Sequence, residues 1–535
     1  MSLLRHTLNF GSMTLISRIL GFVRDVVLAR WFGAGWAMDA FVVAFKIPNF
    51  LRRLFAEGSF SLAFVPVLNE YKEKGDQRAL KQLIDATTGA LLAVLLVITA
   101  VGLLGAGWII GLFAPGFVDD PEQWALATDM LRVTFPYLML IALTALAGGI
   151  LNTLGRFALP ALTPALLNLS MITAAVAFSA YFDPPIKALA WGVLVAGVLQ
   201  LGIQLPVLIR HQVLPKPWPN FKHPGVQRIL KLMVPTLFGS SVAQINLLFD
   251  TLIASLLVAG SISWLYYADR LMEFPLGLFG VALSTVILPT LSRLHARREA
   301  GEFRATLNWA LWLGWAIGLP AAVGLAVLAG PVLTTLFNYG AFTSTDVTMA
   351  TWALTTYCLG LPAFIGVKVF SPAFFSRQDA HTPVRIAVIA LLVNMILNVV
   401  FVLLLAHLQS EGNWSRGLWG TLAALPGLHA GLALASSVTA WLNAGLLWRA
   451  LRQADLAPTL SINRGLQVMV ACAVMAAVLW WGLPQTSEWL AMPLGSRAML
   501  LGVAVIVGAG TYAAVMWLFG VRPSHFSRPD EGQTR

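Results

Sequence analysis

The chain has 535 residues, 58% hydrophobic and only 11% charged, and its mean hydropathy of +0.77 excludes a soluble globular domain. Its formal charge of +11 would suit nucleic acid in a soluble protein. Here the basic residues gather in alternate connections between apolar runs, so membrane topology accounts for them and no nucleic-acid partner is expected.

Apolar runs of about 20 residues, each able to cross about 30 Å of hydrocarbon as a helix, recur from end to end. Nothing alternates as barrel strands do. Pro, Gly and charge punctuation divides the runs into fourteen candidate spans. Six precede a basic linker, at 8–32, 36–68, 84–113, 124–151, 160–182 and 188–209. Six follow it, at 229–258, 263–288, 303–328, 347–375, 383–408 and 428–451, and two more, 468–483 and 498–519, close the chain. The first run contains Arg18, Arg24 and Asp25 and no small-residue cleavage site follows it, so it reads as a retained span and not a signal peptide. Cys358 and Cys472 both fall in apolar runs and read as small core residues, supporting neither a disulfide framework nor a metal site.

One set of connections is basic, running from Arg5 through Lys72, Lys74, Arg78 and Lys81 to Arg210, Lys216, Arg293, Arg377, Arg449, Arg452 and Arg522. The opposite set is nearly bare of cations and holds Asp119, Asp120, Glu122 and Asp346. This bias places both termini in the cytoplasm and sets the basic loops against anionic membrane lipids.

The chain also repeats itself. Phe10-Gly11-Ser12 recurs as Phe238-Gly239-Ser240, 228 residues on. The stretch from Phe55 to Pro66 is echoed from Phe279 to Pro289, and Pro160 answers Pro383, both prolines at an offset of 223. The near-constant offset predicts an all-α polytopic membrane protein built from two six-helix lobes, 1–210 and 229–452, related by a pseudo-two-fold along the membrane normal. Residues 211–228 form the cytoplasmic linker, 453–520 two extra helices, and 521–535 a cytoplasmic tail.

Five arginines, Arg18, Arg24, Arg52, Arg53 and Arg270, sit inside these apolar stretches. An arginine at the centre of a lipid-facing helix costs about 2.5 kcal/mol or more, so these side chains belong in a polar cavity that handles something anionic. Carboxylates accompany them: Asp25, Asp39, Glu57, Asp269 and Glu273. Arg53 and Glu57 stand at i,i+4, and Arg270 and Glu273 at i,i+3, so each pair neutralises itself on one helix face. Ligand binding then falls first to Arg18, Arg24 and Arg52. A guanidinium grips phosphate oxygens bidentately, and a pyrophosphate suits such a set. Pro48, Gly58 and Pro275 loosen the backbone beside these charges and predict bent helices. Asp250, with Asn394 and Asn398 one turn apart, is a candidate weak site for a cation such as sodium; ordinary interhelical hydrogen bonding is the competing reading. No other cofactor is expected.

At SRILGFVRD (17–25), at IPNFLRRLFAEGSF within 39–66, and at ADRLMEFPLGLFG (268–280) the chain resembles the MurJ/MviN family of lipid II flippases, within the multidrug/oligosaccharidyl-lipid/polysaccharide exporter superfamily. The resemblance covers essentially the whole chain. It implies a transporter, not an enzyme, that moves an undecaprenyl-pyrophosphate-linked peptidoglycan precursor to the outer leaflet of the bacterial inner membrane by alternating access. It further implies that Arg18, Arg24, Arg52 and Arg270 bind the headgroup, that Asp39 and Glu273 assist or gate, and that the last two spans cradle the polyprenyl tail. Coupling to membrane potential or a monovalent cation, and contact with the cell-wall synthesis machinery, are implied likewise. Relatives with a sodium site carry an acidic residue in span 11 where Asn398 stands, a departure that weakens the sodium expectation here.

A drug–cation antiporter of the same superfamily would favour carboxylates and aromatics over arginines. Export of a different polyprenyl-linked glycan fits the residues almost as well as lipid II does. A membrane glycosyltransferase or hydrolase would need a clustered acid, base or metal site, and the eight histidines are scattered.

Overall fold

The computed structural model describes residues 2–53, 59–459 and 461–522. Over these residues the chain is helical, and it divides into two compact units. The first comprises 1–263 with 339–342, the second 264–338 with 343–535.

The first unit contains α1 (Ser2–Phe32), α2 (Trp36–Arg52), α3 (Ser59–Glu73), α4 (Gln77–Leu104), α5 (Ala106–Phe113), α6 (Pro121–Thr134), α7 (Tyr137–Thr153), α8 (Ala158–Thr173), α9 (Lys187–Gly202), α10 (Leu205–Arg210) and α11 (Pro224–Ser255). The boundary falls inside α12 (Ser261–Pro275). The second unit continues with α13 (Ala282–Ala296), α14 (Ala300–Val327), α15 (Ala329–Phe337), α16 (Ser344–Phe375), α17 (His381–Gln409), α18 (Gly417–Leu422), α19 (His429–Gln453), α20 (Ile462–Gly482), α21 (Thr486–Ala491) and α22 (Leu494–Leu518).

Among the described residues eleven helical segments are long and apolar enough to cross a membrane. They coincide with expected spans 3–6 and 8–14. The expected spans at 8–32, 36–68 and 229–258 are helical where described but are not in that set, so the count of fourteen is not established.

The repeat reappears as element lengths. α4 and α14 are both 28 residues long and begin at Gln77 and Ala300, 223 apart. α3 and α13 are both 15 residues long, with Pro66 and Pro289 at the same position inside each. Asp120 caps α6 by accepting from the N–H groups of Glu122 and Gln123; 223 residues on, Thr343 opens α16 in a reciprocal capping box with Asp346.

The core of the first unit includes Phe64, Leu68, Leu83, Leu146, Ile150 and Ile229, drawn from α3, α4, α7 and α11. α20 and α22 pack on α14 around Trp312, Ala316, Val468, Cys472 and Met516. Cys358 and Cys472 are both buried thiols.

The linker is laid across α4. The Asp85 carboxylate accepts from the backbone N–H of Lys216 at 2.7 Å and pairs with Lys81, while the Trp218 N–H reaches the Asp85 carbonyl. A Cβ at Gly89 would overlap the Trp218 carbonyl, so only glycine lets the linker lie this close. Gly89→Ala should destabilise the protein by about 1–3 kcal/mol and expose residues 213–219 to limited proteolysis. An unchanged cleavage pattern would detach the linker from this role. Beyond it, Lys74, in the turn after α3, and Arg228 on α11 both hold Glu70, and their hydrogen bonds lower the Glu70 pKa from its ordinary 4.5.

Candidate substrate-binding site

α1 is pinned to α8 by a buried polar node. Arg24 donates from Nε (2.9 Å) and Nη2 (2.7 Å) to one oxygen of Asp25, and from Nη1 to Asn168 Oδ1 at 2.9 Å. Asn168 in turn donates to the Ser17 carbonyl at 3.0 Å. Arg24 and Asp25 are 7% and 3% exposed, so two charges are held out of solvent in one compact pair. The i,i+3 and i,i+4 spacings give Arg24 no carboxylate; in the structure its guanidinium is engaged by the adjacent Asp25, a contact that rule does not anticipate. Arg18 differs. It lies six positions earlier, about 120° around the helix, and is exposed.

On α2, Asp39 is buried and accepts three hydrogen bonds: from Gly260 N–H at 2.7 Å, Ser263 N–H at 2.8 Å and Ser263 Oγ at 2.5 Å. It thereby satisfies orphan donors at the start of α12 and sets a negative charge at that helix's N-terminus. About two turns further on, Lys46 donates to Thr251 Oγ1 of α11 at 3.0 Å. Arg52, half-buried, donates from Nε to Asn49 Oδ1 at 2.8 Å, and half-buried Arg53 caps the helix through its N–H. Glu57 and Gly58, with the start of the 55–66 repeat, lie outside the described residues.

In the second unit, Arg270 pairs with Glu273 at 3.0 Å, as the i,i+3 spacing predicts, and its guanidinium lies 5.1 Å from the centroid of the Tyr266 ring. Asp269 stands half-buried beside it. Immediately after Pro275 the backbone passes into a π-helical stretch, Leu276–Val281, so the loosening expected at this proline is present. Gly280 in that stretch faces Lys368 of α16, an exposed lysine inside an apolar span.

The cation-site candidates divide between the units. Asn398 donates to Asn394 Oδ1 at 3.0 Å, and Asn394 to Thr439 Oγ1 at 3.4 Å, which links α17 to α19. Asp250 belongs to the first unit and accepts from Asn246 at 3.4 Å. Amide-to-hydroxyl bonding of this kind ties neighbouring helices together.

Sequence reasoning missed Asn168, Ser263, Lys46 and Lys368. The two lysines had a signal, since each interrupts an apolar run. Asn168 and Ser263 had none, because their partners Arg24 and Asp39 lie 144 and 224 residues away.

Over its described residues the chain is a repeated, helical, polytopic protein with arginines and lysines set in its apolar helices, the architecture of a membrane transporter. The family model described as "Lipid II flippase MurJ" matches residues 28–498. The chain is 44% identical to the probable lipid II flippase MurJ of Vibrio cholerae, over 97% of each sequence. It is 41% identical to the lipid II flippase MurJ of Burkholderia cenocepacia, over 99% of each. A solved MurJ structure in an inward closed conformation superposes with a TM-score of 0.77 at 28% identity, covering 95% of this chain and 98% of that one. An inward-facing multidrug transporter of the MATE family shares the fold, with a TM-score of 0.64 at 15% identity over 84% of this chain and 98% of the other. The chain belongs to the MurJ family of lipid II flippases.

Proposed function

We propose that the protein carries lipid II from the inner to the outer leaflet of the bacterial cytoplasmic membrane by alternating access, with both termini cytoplasmic. The observation that carries this reading is the identity of 41–44%, over nearly full length, to relatives named lipid II flippases. The chemistry agrees with it. Arg18, Arg52 and Arg53 supply the guanidinium forks that a pyrophosphate accepts, and Arg24 holds α1 so that Arg18 stays presented. Arg270, steadied by Glu273 and Tyr266, is a further headgroup ligand, while Asp39 gates by holding or releasing the start of α12. α20 and α22 supply the apolar surface for the polyprenyl tail. No bond changes, so the driving force is physical. An inside-negative potential of about 100 mV favours outward passage of each negative charge by about 2.3 kcal/mol.

Charge-assisted hydrogen bonds contribute about 1.5–3 kcal/mol each. Arg18→Ala and Arg52→Ala should therefore each weaken lipid II binding about 10–100-fold while leaving the melting temperature unchanged. Unaltered binding in both variants would leave these arginines a packing role only.

A further inference from the structure

The last two turns of α19 carry a face unlike the rest of that helix. Gly445, Trp448, Arg449 and Arg452 follow i, i+3, i+4 and i+7, while Leu447 and Leu451 turn into the core of the second unit. Together with Gln453 these four residues line a cavity of about 590 Å3. Trp448 is fixed as part of its wall: its indole N–H donates to the Pro458 carbonyl at 3.3 Å, and the Arg452 guanidinium lies over its ring, 5.6 Å from the centroid. The returning segment is anchored by the Thr459 N–H on Asn308 Oδ1 at 2.6 Å. At Gly445 a Cβ would meet nothing within 4 Å, so the cavity is open there.

Among the described residues neither Arg449 nor Arg452 pairs with a carboxylate, whereas Arg24, Arg132, Arg228 and Arg270 do. Placing a cation in the last helical turn complements the macrodipole and accounts for Arg452 alone. It does not account for a second arginine on the same face, a wall of tryptophan and an open cavity. α19 is apolar enough to cross the membrane, and tryptophan with arginine at the end of such a helix marks the headgroup layer.

We propose that this cavity binds the headgroup of an anionic glycerophospholipid. The two guanidinium groups take the phosphodiester, Gln453 serves the headgroup hydroxyls, and the acyl chains run along the exposed apolar surface near Trp441. The site is separate from lipid II transport and stands whether or not that reading holds.

The test is binding of phosphatidylglycerol to the purified, delipidated full-length protein by native mass spectrometry, with phosphatidylcholine and inorganic phosphate as comparison probes. R449Q/R452Q should lose one tightly bound phosphatidylglycerol, its affinity falling at least tenfold, with phosphatidylcholine binding unchanged. Gly445→Leu keeps both charges and sets a side chain into the open part of the cavity, and should weaken binding of the same lipid. Equal phosphatidylglycerol binding in wild type and both variants overturns the proposal. So does loss in R449Q/R452Q with full retention in Gly445→Leu, because the arginines would then act outside the cavity. Displacement by inorganic phosphate at concentrations comparable to the lipid would make this a small-anion site and overturn the lipid assignment.

Discussion

Asp25→Ala is expected to lower the stability of the protein by about 3–5 kcal/mol, the usual consequence of removing one partner of a buried ion pair. Arg24 would be left buried without the carboxylate on which both its Nε and its Nη2 lean. Arg24→Leu/Asp25→Leu removes both charges together and should recover most of that stability, because apolar replacement of a whole pair is often close to neutral. Thermal unfolding of the purified variants in detergent measures both. The double variant should nevertheless fail to support growth in place of the wild type. Without the Arg24–Asn168 bond α1 loses a polar tie to α8, and with it the placement of Arg18. A double variant as unstable as Asp25→Ala would show that the node does more than neutralise charge.

Asp39→Ala is the second large effect. It strips the acceptor from two buried backbone donors, those of Gly260 and Ser263, at about 1–3 kcal/mol for each. Ser263→Ala removes only the hydroxyl contact and should cost less than Asp39→Ala does. Unfolding curves rank the two variants, and equal losses would mean that the hydroxyl, not the helix cap, carries the interaction. The same variants bear on gating: if Asp39 controls the start of α12, Asp39→Asn should slow transport more than it lowers stability.

The fold was legible because bilayer crossing imposes long apolar helices, and because the repeat leaves prolines at matched positions such as Pro66 and Pro289. What composition did not resolve was the number of spans. Of the candidate site, the Arg270–Glu273 pair was readable from helical spacing. The engagement of Arg24 was not. Its carboxylate is the next residue in the chain, where helix geometry sets side chains about 100° apart, and the node closes through Asn168 on another helix. Asp39 presented the same difficulty: an acid in an apolar run reads as a gate or a ligand, and its partners are backbone N–H groups with no sequence signature.

The most direct measurement is to deplete the protein in the bacterium that makes it and to probe lipid II with a reagent confined to the outer surface. Outward-facing lipid II should fall as the protein is withdrawn, and return with the wild type but not with Arg18→Ala/Arg52→Ala. Outward-facing lipid II that persists undiminished after depletion would contradict the assignment.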